Sequence, residues 1–213
     1  MELILSSITT MIVNLIIFSI IPLIWWLVFH RKKANFFTWL GFKKPHLEAK
    51  WWMLLIFAVL YFFFYHFDFT VFISEEAMEV LENSDSIADN VYKGLGFAAV
   101  IPALIENFIA NGVAEEILYR GFLCKRLCSK FGTVPGLVVQ AVLFGLMHNA
   151  LYILAGIPVD FSYHLLMFLF TGTGALLLGF LNEKIYNGSL WPSILLHGMG
   201  NFIGSLCTAF GLY

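Results

Sequence analysis

Two adjacent carboxylates, Glu115 and Glu116, lie near the end of a long apolar segment of this chain. A single charged side chain at the centre of a bilayer costs at least ~2.5 kcal/mol, so two neighbouring acids there need a partner, a bound proton or a chemical role. Two later apolar segments each contain one deep histidine, His148 and His197. Because carboxylates and imidazoles transfer protons in enzymes, these four residues predict a catalytic centre inside a membrane helix bundle.

Helical spacing gives the two acids different partners. Glu116 and Arg120 are four residues apart with the acid first, which is the favourable order for an ion pair on one helix face. Glu115 points roughly 100° away from Glu116, on the same face as Asn111 and Asn107. Glu115 therefore lacks the arginine partner, belongs to a polar stripe, and is the candidate general base.

The same four-residue spacing links side chains in the two later segments. Phe144 lies one turn before His148, and His197 lies one turn before Asn201. Side by side on one face, His197 and Asn201 are two neutral donors that can stabilise an oxyanion if they are aimed where charge develops. Taken alone, His148 fits a hydrogen-bonded core histidine equally well, so its role stays open at this point.

The composition predicts an integral membrane protein. Of 213 residues, 60% are hydrophobic and only 12% are charged, and the mean hydropathy is +0.85, whereas soluble domains contain roughly 25% charged residues. The length suits a single domain over residues 1–213. No basic stripe interleaved with aromatic residues is present, which argues against nucleic acid as a partner. The three cysteines, an odd number without a CxxC pair, do not predict a disulfide framework.

Six segments approach the ~20 apolar residues that a spanning helix needs. They are residues 3–29, 51–71, 96–119, 134–154, 165–181 and 191–212. The chain is therefore predicted to be an all-α, polytopic transmembrane helix bundle of about six spans. Residues 1–95 would hold the N-terminal spans and an acidic outer loop at 74–93, and residues 96–213 the catalytic helix core.

Lysine and arginine predict the orientation of the chain. Nearly all of them lie between the first and second, third and fourth, or fifth and sixth spans, and the positive-inside rule places these connections on the cytoplasmic face. Both termini then face outward from the plasma membrane. The segment 34–50 mixes aromatic and basic residues and is too short to span, so it is predicted to be a cytoplasmic-side amphipathic segment.

Helix length constrains where the two histidines can meet. His148 lies 13 residues after Pro135, about 20 Å along a helix, whereas His197 lies six residues after Trp191, about 9 Å by the same rise. The two rings meet only if the fourth helix starts in the cytoplasm or tilts strongly. The active site is therefore predicted near the cytoplasmic side, a short way inside the membrane surface.

Three motifs, in order, make the chain resemble a known family. They are Glu115-Glu116-x-x-x-Arg120, Phe144-x-x-x-His148 and His197-x-x-x-Asn201. They are similar to the three motifs of the CAAX-processing and bacteriocin-processing (CPBP, or Abi) intramembrane proteases. The resemblance covers about residues 96–213, and each motif lies in a predicted span or at its end.

The resemblance implies four catalytic residues. Glu115 would activate the attacking water, and His148 would help to position or activate it. His197 and Asn201 would form the oxyanion hole for the tetrahedral intermediate. The implied reaction is hydrolysis of a peptide bond by direct attack of water.

The other matched residues would support this reaction. Arg120 would hold Glu116 and order the helix end, and Phe144 would pack beneath His148. No cysteine or serine occupies the three motifs, which argues against an acyl-enzyme intermediate.

The part played by a metal stays open in the sequence. No His-Glu-x-x-His motif lies on one helix, yet Glu115, His148 and His197 could together hold Zn²⁺ with an open position for water. Asn201 beside His197 fits an oxyanion hole better than metal coordination. A glutamate-type mechanism without a cofactor is therefore favoured.

Three functions are compatible with the sequence. The first is an intramembrane endopeptidase whose partners are the bilayer and a membrane-anchored substrate, such as a bacteriocin precursor, a pheromone or a prenylated CAAX-type tail. The second is a non-catalytic membrane scaffold or bacteriocin-immunity protein, which would tolerate Glu115→Gln. The third is a transporter that relays protons through Glu106 and Glu115, but the sequence repeats that such a fold predicts are not visible. The endopeptidase is favoured, and the oligomeric state stays open.

Overall fold

The structure, a computed structural model, describes residues 1–45, 51–65, 72–84 and 88–212. Its helices are α1 (Glu2–Phe29), α2 (Phe36–Leu40), α3 (Trp51–Tyr65), α4 (Glu75–Asn83), α5 (Gly96–Phe131), α6 (Thr133–Leu154), α7 (Phe161–Ile185) and α8 (Trp191–Phe210). A short 3₁₀ helix, Ala88–Tyr92, precedes α5. Over these described ranges no β-strand occurs, which confirms the predicted all-α fold.

Within the described ranges, five helices are long and apolar enough to cross a membrane, namely α1, α5, α6, α7 and α8. The helix α3 is apolar throughout but has 15 residues. The rest of the predicted second span, residues 66–71, lies outside the described residues. The predicted bundle of about six spans is thus confirmed as five long helices and one shorter apolar helix.

The helix α5 continues to Phe131, past the predicted end of the third membrane span at residue 119. The apolar pattern breaks at Lys125 and Arg126, but both residues are good helix formers. The helix therefore extends past its apolar part until Gly132, whose φ of 91° no longer fits a helix, ends it.

The helices that contain the last two predicted spans differ from those spans by a few residues at their ends. The helix α7 starts at Phe161, before the predicted residue 165, because the Asp160 side chain accepts a hydrogen bond from the Tyr163 backbone N–H at 2.8 Å and caps the helix. At the other end of the chain, α8 stops at Phe210, where Gly211 takes the left-handed conformation. Side-chain caps and backbone conformation set these ends, and hydropathy does not report either.

The helix α5 is central to the bundle and contacts α1, α6 and α8. It is not a regular α-helix, because the segments Leu104–Val113 and Ile117–Cys124 are π-helical, with Ala114–Glu116 between them. Such π-helical turns are rare in proteins and are frequently found at functional sites. The wider turns flank the two adjacent acids that the sequence predicts to do chemistry.

The helices α5 and α8 touch backbone to backbone at two glycines. A Cβ added to Gly112 would lie 2.8 Å from Gly198 Cα, and one added to Gly198 would lie 2.7 Å from the Phe108 ring. Glycine permits this approach because it has no side chain. Since Gly112 lies one turn before Glu116, and Gly198 directly follows His197, the contact brings predicted site residues of both helices together.

The predicted amphipathic segment contains the short helix α2. Asn35 caps it by accepting hydrogen bonds from backbone N–H groups of the first turn, and Leu40 is fully buried in a cluster with Ile117 of α5. Phe37 remains 59% exposed, so the segment has one buried and one exposed apolar side. Residues 46–50 of this prediction lie outside the described residues.

The predicted acidic outer loop at 74–93 is largely helical. Ser74 caps α4 by accepting a hydrogen bond from the Ala77 N–H at 3.2 Å. Glu75 and Glu76 lie in the first turn of α4, where negative charge is favourable to the helix dipole. Residues 85–87 lie outside the described residues.

We expect Gly112→Ala to loosen the contact between α5 and α8. The added methyl group meets backbone atoms of Gly198, which cannot rotate away, and overpacking of this kind typically destabilises a protein by about 1–3 kcal/mol. The measurement is thermal denaturation of the purified protein in detergent. The matched control is Gly172→Ala, whose nearest new contact would be at 3.4 Å. A loss of stability for Gly172→Ala that equals or exceeds the loss for Gly112→Ala would contradict this account.

Candidate active site

A cavity of about 350 Å³ lies inside the bundle where α3, α5, α6, α7 and α8 meet. Its polar lining residues are Tyr61, Asn111, Glu115, Arg120, His148, Thr171, His197 and Asn201. The four residues predicted to be catalytic, Glu115, His148, His197 and Asn201, are all among them. Three helices, α5, α6 and α8, therefore bring the predicted residues to one space.

Glu116 and Arg120 form an ion pair in the interior of the bundle. Arg120 Nη1 is 3.1 Å from Glu116 Oε1, as the four-residue spacing predicts. The two residues are 1% and 0% exposed, with Glu116 the more deeply buried. Because an unpaired buried charge is costly, the ion pair offsets part of the cost of burying both side chains.

His197 connects this ion pair to the cavity. Its Nδ1 donates a hydrogen bond to Glu116 Oε1 at 3.0 Å, and its Nε2 lies 3.7 Å from Glu115 Oε2. Since Arg120 keeps Glu116 ionised, and a carboxylate can only accept, the hydrogen on Nδ1 is fixed and Nε2 is directed towards Glu115. The sequence assigned Glu116 to Arg120 alone and did not predict its contact with His197.

His148 is oriented by the backbone of its own helix. Its Nδ1 lies 3.0 Å from the Phe144 carbonyl oxygen, which accepts only, so Nδ1 carries the hydrogen and Nε2 of the neutral ring keeps a lone pair. The Phe144 ring packs against the imidazole at 4.5 Å between centroids. The centre of the Phe144 ring also lies 4.3 Å from the Arg120 guanidinium. The ring predicted to pack beneath His148 therefore contacts the ion pair as well.

Glu115 is the carboxylate that faces the cavity. It is 9% exposed, and within the described part of the chain its Oε2 accepts no hydrogen bond. Asn111, one turn earlier on α5, lines the same cavity, as does Asn201, one turn after His197 on α8. The polar stripe that the sequence predicts around Glu115 is therefore present in the structure.

A chain of hydrogen bonds leads from the cavity wall to the segment before α5. Asn14 Nδ2 donates to Asn111 Oδ1 at 3.1 Å, Asn111 to Asn107 at 3.1 Å, Asn107 to Ser205 Oγ at 2.6 Å, and Ser205 to Asp89 Oδ1 at 2.6 Å. Every donor points towards the Asp89 carboxyl. Burial raises the pKa of Asp89, and the hydrogen bond from Ser205 opposes that rise. The chain holds Asn111 in place at the wall of the cavity.

Glu106, whose role the sequence leaves open, has partners of its own. Its Oε2 accepts hydrogen bonds from the Ser7 hydroxyl at 2.8 Å and from the Tyr92 hydroxyl at 3.3 Å. Both partners are fully buried. Glu106 therefore joins α1 and the 3₁₀ helix to α5, at a distance from the cavity that Glu115 lines.

The residues considered for Zn²⁺ do not fit a metal site as they are arranged. Over the described residues, no group of three or more histidine, cysteine, aspartate or glutamate side chains is placed to hold a metal ion. Glu115, His148 and His197 line one cavity without forming such a ligand set.

The sequence does not indicate two of the polar lining residues, Tyr61 and Thr171. Tyr61 belongs to α3 and Thr171 to α7, and neither helix contains a motif residue. The Thr171 hydroxyl donates to the Met167 carbonyl of its own helix at 2.7 Å. No spacing pattern marks these residues, because their position depends on how α3 and α7 pack against the other helices.

Residues 96–203 match the family described as type II CAAX prenyl endopeptidase Rce1-like. The match begins with α5, ends inside α8 and contains all four predicted catalytic residues. Neither a curated protein nor a solved structure matches the chain. The matched region is just over half of the 213 residues and agrees with the resemblance to CAAX-processing proteases. The chain therefore belongs to the Rce1-like family of type II CAAX prenyl endopeptidases.

Proposed function

We propose that this protein is an intramembrane endopeptidase that hydrolyses a peptide bond in a membrane-anchored peptide or protein. The observation that carries the proposal is the contrast between two adjacent acids. Glu116 is fully buried and engaged by Arg120 and His197, whereas Glu115 faces a polar cavity that His148 also lines. A carboxylate beside oriented imidazoles is suited to activate water as a general base.

In the proposed mechanism His197 donates from both ring nitrogens, to Glu116 through Nδ1 and to the substrate through Nε2. Two carboxylates, Glu115 and Glu116, lie on either side of the ring, and Arg120 is paired with the second of them. The Nε2–H of His197 is then available to a substrate oxygen at the cavity.

The attacking water would be held by Glu115 and His148. His148 offers the lone pair of Nε2, because its Nδ1 donates to the Phe144 carbonyl. A water molecule that donates one hydrogen to His148 and the other to Glu115 directs an oxygen lone pair at the substrate. Glu115 accepts the proton as the water oxygen bonds to the carbonyl carbon.

The attack places negative charge on the carbonyl oxygen of the substrate. His197 Nε2–H and the Asn201 side-chain amide lie one turn apart on α8 and both line the cavity. Preorganised donors of this kind act without rearrangement as charge develops, and each typically contributes about 10²–10³-fold in rate. These two residues would form the oxyanion hole.

The tetrahedral intermediate then breaks its carbon–nitrogen bond. The proton that Glu115 took from water transfers to the departing amine nitrogen, and Glu115 returns to its starting charge. One water is consumed, and the products are a new carboxyl terminus and a new amine. The route forms no bond between substrate and enzyme.

Membership of the family supports a substrate anchored in the membrane. Candidates are a prenylated CAAX-type tail, a bacteriocin precursor or a peptide pheromone. We place the cavity near the cytoplasmic face of the plasma membrane, because Lys125 and Arg126 follow the apolar part of α5 and positive residues favour that face.

Glu115→Gln should abolish cleavage and leave the fold intact. The amide keeps the size of the carboxylate but cannot take a proton from water, and general acid–base catalysis typically contributes about 10²–10⁴-fold in rate. The measurement compares membrane proteomes and released peptides from cells that express either chain at matched levels. Thermal denaturation in detergent checks that the variant is folded.

Glu106→Gln is the matched control for that comparison. Glu106 is also an acid of α5, but it contacts Ser7 and Tyr92. Peptides that appear with the native chain and with Glu106→Gln, but not with Glu115→Gln, would establish proteolysis and identify the substrate. Identical profiles for the native chain and Glu115→Gln would overturn the proposal in favour of the non-catalytic scaffold or immunity role.

Removal of one charge of the buried ion pair should be more harmful to stability than removal of both. Arg120→Met leaves Glu116 buried without its guanidinium, and breaking a buried pair from one side typically costs about 3–5 kcal/mol. The double variant Glu116→Gln/Arg120→Met has no such unpaired charge, so much of the stability should return. Cleavage should stay low, because an amide at position 116 can donate as well as accept and no longer fixes the hydrogen on His197 Nδ1.

The measurements are thermal denaturation and cleavage rates. They compare the native chain with Glu116→Gln, Arg120→Met and the double variant. Equal losses of stability in Arg120→Met and in the double variant would show that the ion pair is not the cause. Full activity in the double variant would show that the charge of Glu116 has no part in the reaction.

Removal of divalent metal should leave the cleavage rate unchanged. The described residues offer no ligand set of three histidine, cysteine or acidic side chains, and the proposed steps involve side chains and water only. The measurement is the rate of peptide release by the purified protein before and after dialysis against EDTA. A loss of activity that added Zn²⁺ restores would contradict the glutamate-type mechanism.

A further inference from the structure

The cavity of about 350 Å³ that Glu115 lines is here called the catalytic cavity. An apolar pocket of about 220 Å³ lies beside it, between α3 and α8. The helix α3 contributes Ala58, Tyr61 and Phe62 to it, and α8 contributes residues that include Leu196 and Gly200. Among the described residues of its lining, Tyr61 is the one with a polar side chain. An engineered apolar cavity of about 150 Å³ already accepts benzene, so this pocket, here called the side pocket, can hold a branched aliphatic or aromatic side chain.

Neighbouring rows of the same helix line the side pocket and the catalytic cavity. On α8, His197 and Asn201 line the catalytic cavity, and Leu196 and Gly200 line the side pocket. Both rows follow the four-residue spacing of a helix face, and they are displaced by one residue, or roughly 100° around the helix. A peptide held at His197 and Asn201 therefore has the side pocket directly beside it.

Tyr61 is the wall that the two spaces share, since it lines both. Its ring packs against the buried cluster that contains Leu178 and Leu196. Tyr61 therefore borders both the cavity that contains Glu115 and Arg120 and the apolar pocket.

We propose that the side pocket is a specificity subsite that takes an apolar side chain of the peptide substrate next to the scissile bond. Tyr61 and Gly200 would set its size, Tyr61 as the wall and Gly200 by its lack of a side chain. This inference rests on the proposed peptidase function. Successive residues of an extended peptide rise about 3.3 Å, so a side chain adjacent to the carbonyl at His197 reaches the neighbouring row of α8.

The two groups of residues also differ in their relation to the family. The reacting groups of α5, α6 and α8 lie within the matched residues 96–203, whereas Ala58 and Tyr61 of α3 lie before them. A subsite built partly from α3 can therefore differ between relatives while the reaction stays the same.

The test uses the full chain reconstituted in vesicles of phosphatidylcholine and phosphatidylglycerol. The probe is a pool of synthetic peptides, each with an apolar anchoring helix followed by a randomised segment, and mass spectrometry identifies the cleaved bonds. The chains compared are the native protein, Gly200→Val, Tyr61→Ala and Phe63→Ala. Phe63 is the matched control, because it lies on α3 with 69% of its surface exposed.

The native chain and Phe63→Ala should share a preference for a bulky apolar residue at one position beside the cleaved bond. Gly200→Val fills the pocket and should lower cleavage of those peptides about tenfold or more relative to peptides with alanine there, since one methylene in an apolar pocket changes specificity about 10–200-fold. Tyr61→Ala removes the wall and should extend cleavage to larger side chains. An unchanged profile in both variants would overturn the subsite.

A second readout does not require cleavage. In Glu115→Gln, peptides with photo-leucine at the randomised positions should cross-link to α3 and α8 around the side pocket, and adding Gly200→Val should suppress this labelling. Labelling without any cleavage by the native chain would refute the peptidase function and leave the side pocket as a peptide-binding site. Absence of peptide labelling, or labelling by a photoactivatable phospholipid in its place, would overturn the subsite.

Discussion

The Glu116 carboxylate is the constraint on which the site depends. It is fully buried, and its Oε1 interacts with both Arg120 and His197. Because a buried carboxylate needs such partners, α5 and α8 must approach closely enough for a hydrogen bond of 3.0 Å between them. The backbone contact between Gly112 and Gly198 makes this approach possible. The buried Glu116 carboxylate thus fixes the orientation of the His197 imidazole at the edge of the cavity.

Two neighbouring acids can take different tasks because a helix directs them to different sides. Glu116 points to the interior, where Arg120 and His197 hold it, and Glu115 points to the cavity. Glu116 orients the His197 ring, and Glu115 is the proposed general base. In the proposed mechanism the hydrogen bond to Glu116 holds the His197 ring in place before the substrate binds, so little rearrangement is needed when the oxyanion forms.

Contacts within one helix could be predicted from the sequence, and contacts between helices could not. Four-residue spacing gave the ion pair of Glu116 and Arg120 and the position of Phe144 beneath His148, and hydropathy gave the bundle of about six spans. The hydrogen bond between Glu116 and His197 joins residues 81 apart, and no local pattern specifies it. Hydropathy reports where the apolar part of α5 stops, whereas the helix itself continues through Lys125 and Arg126, which are good helix formers.

In the proposed function, two adjacent rows of residues on α8 serve the reaction and the recognition of the substrate. A row that carries His197 and Asn201 borders the polar cavity, and the next row, with Leu196 and Gly200, borders an apolar one. Polar donors must stay fixed for catalysis, so their row tolerates little change. The adjacent row meets α3, which lies outside the family match, and its side chains can change in size without disturbing the hydrogen bonds of the first. A single helix can in this way keep the reaction constant while the substrate varies.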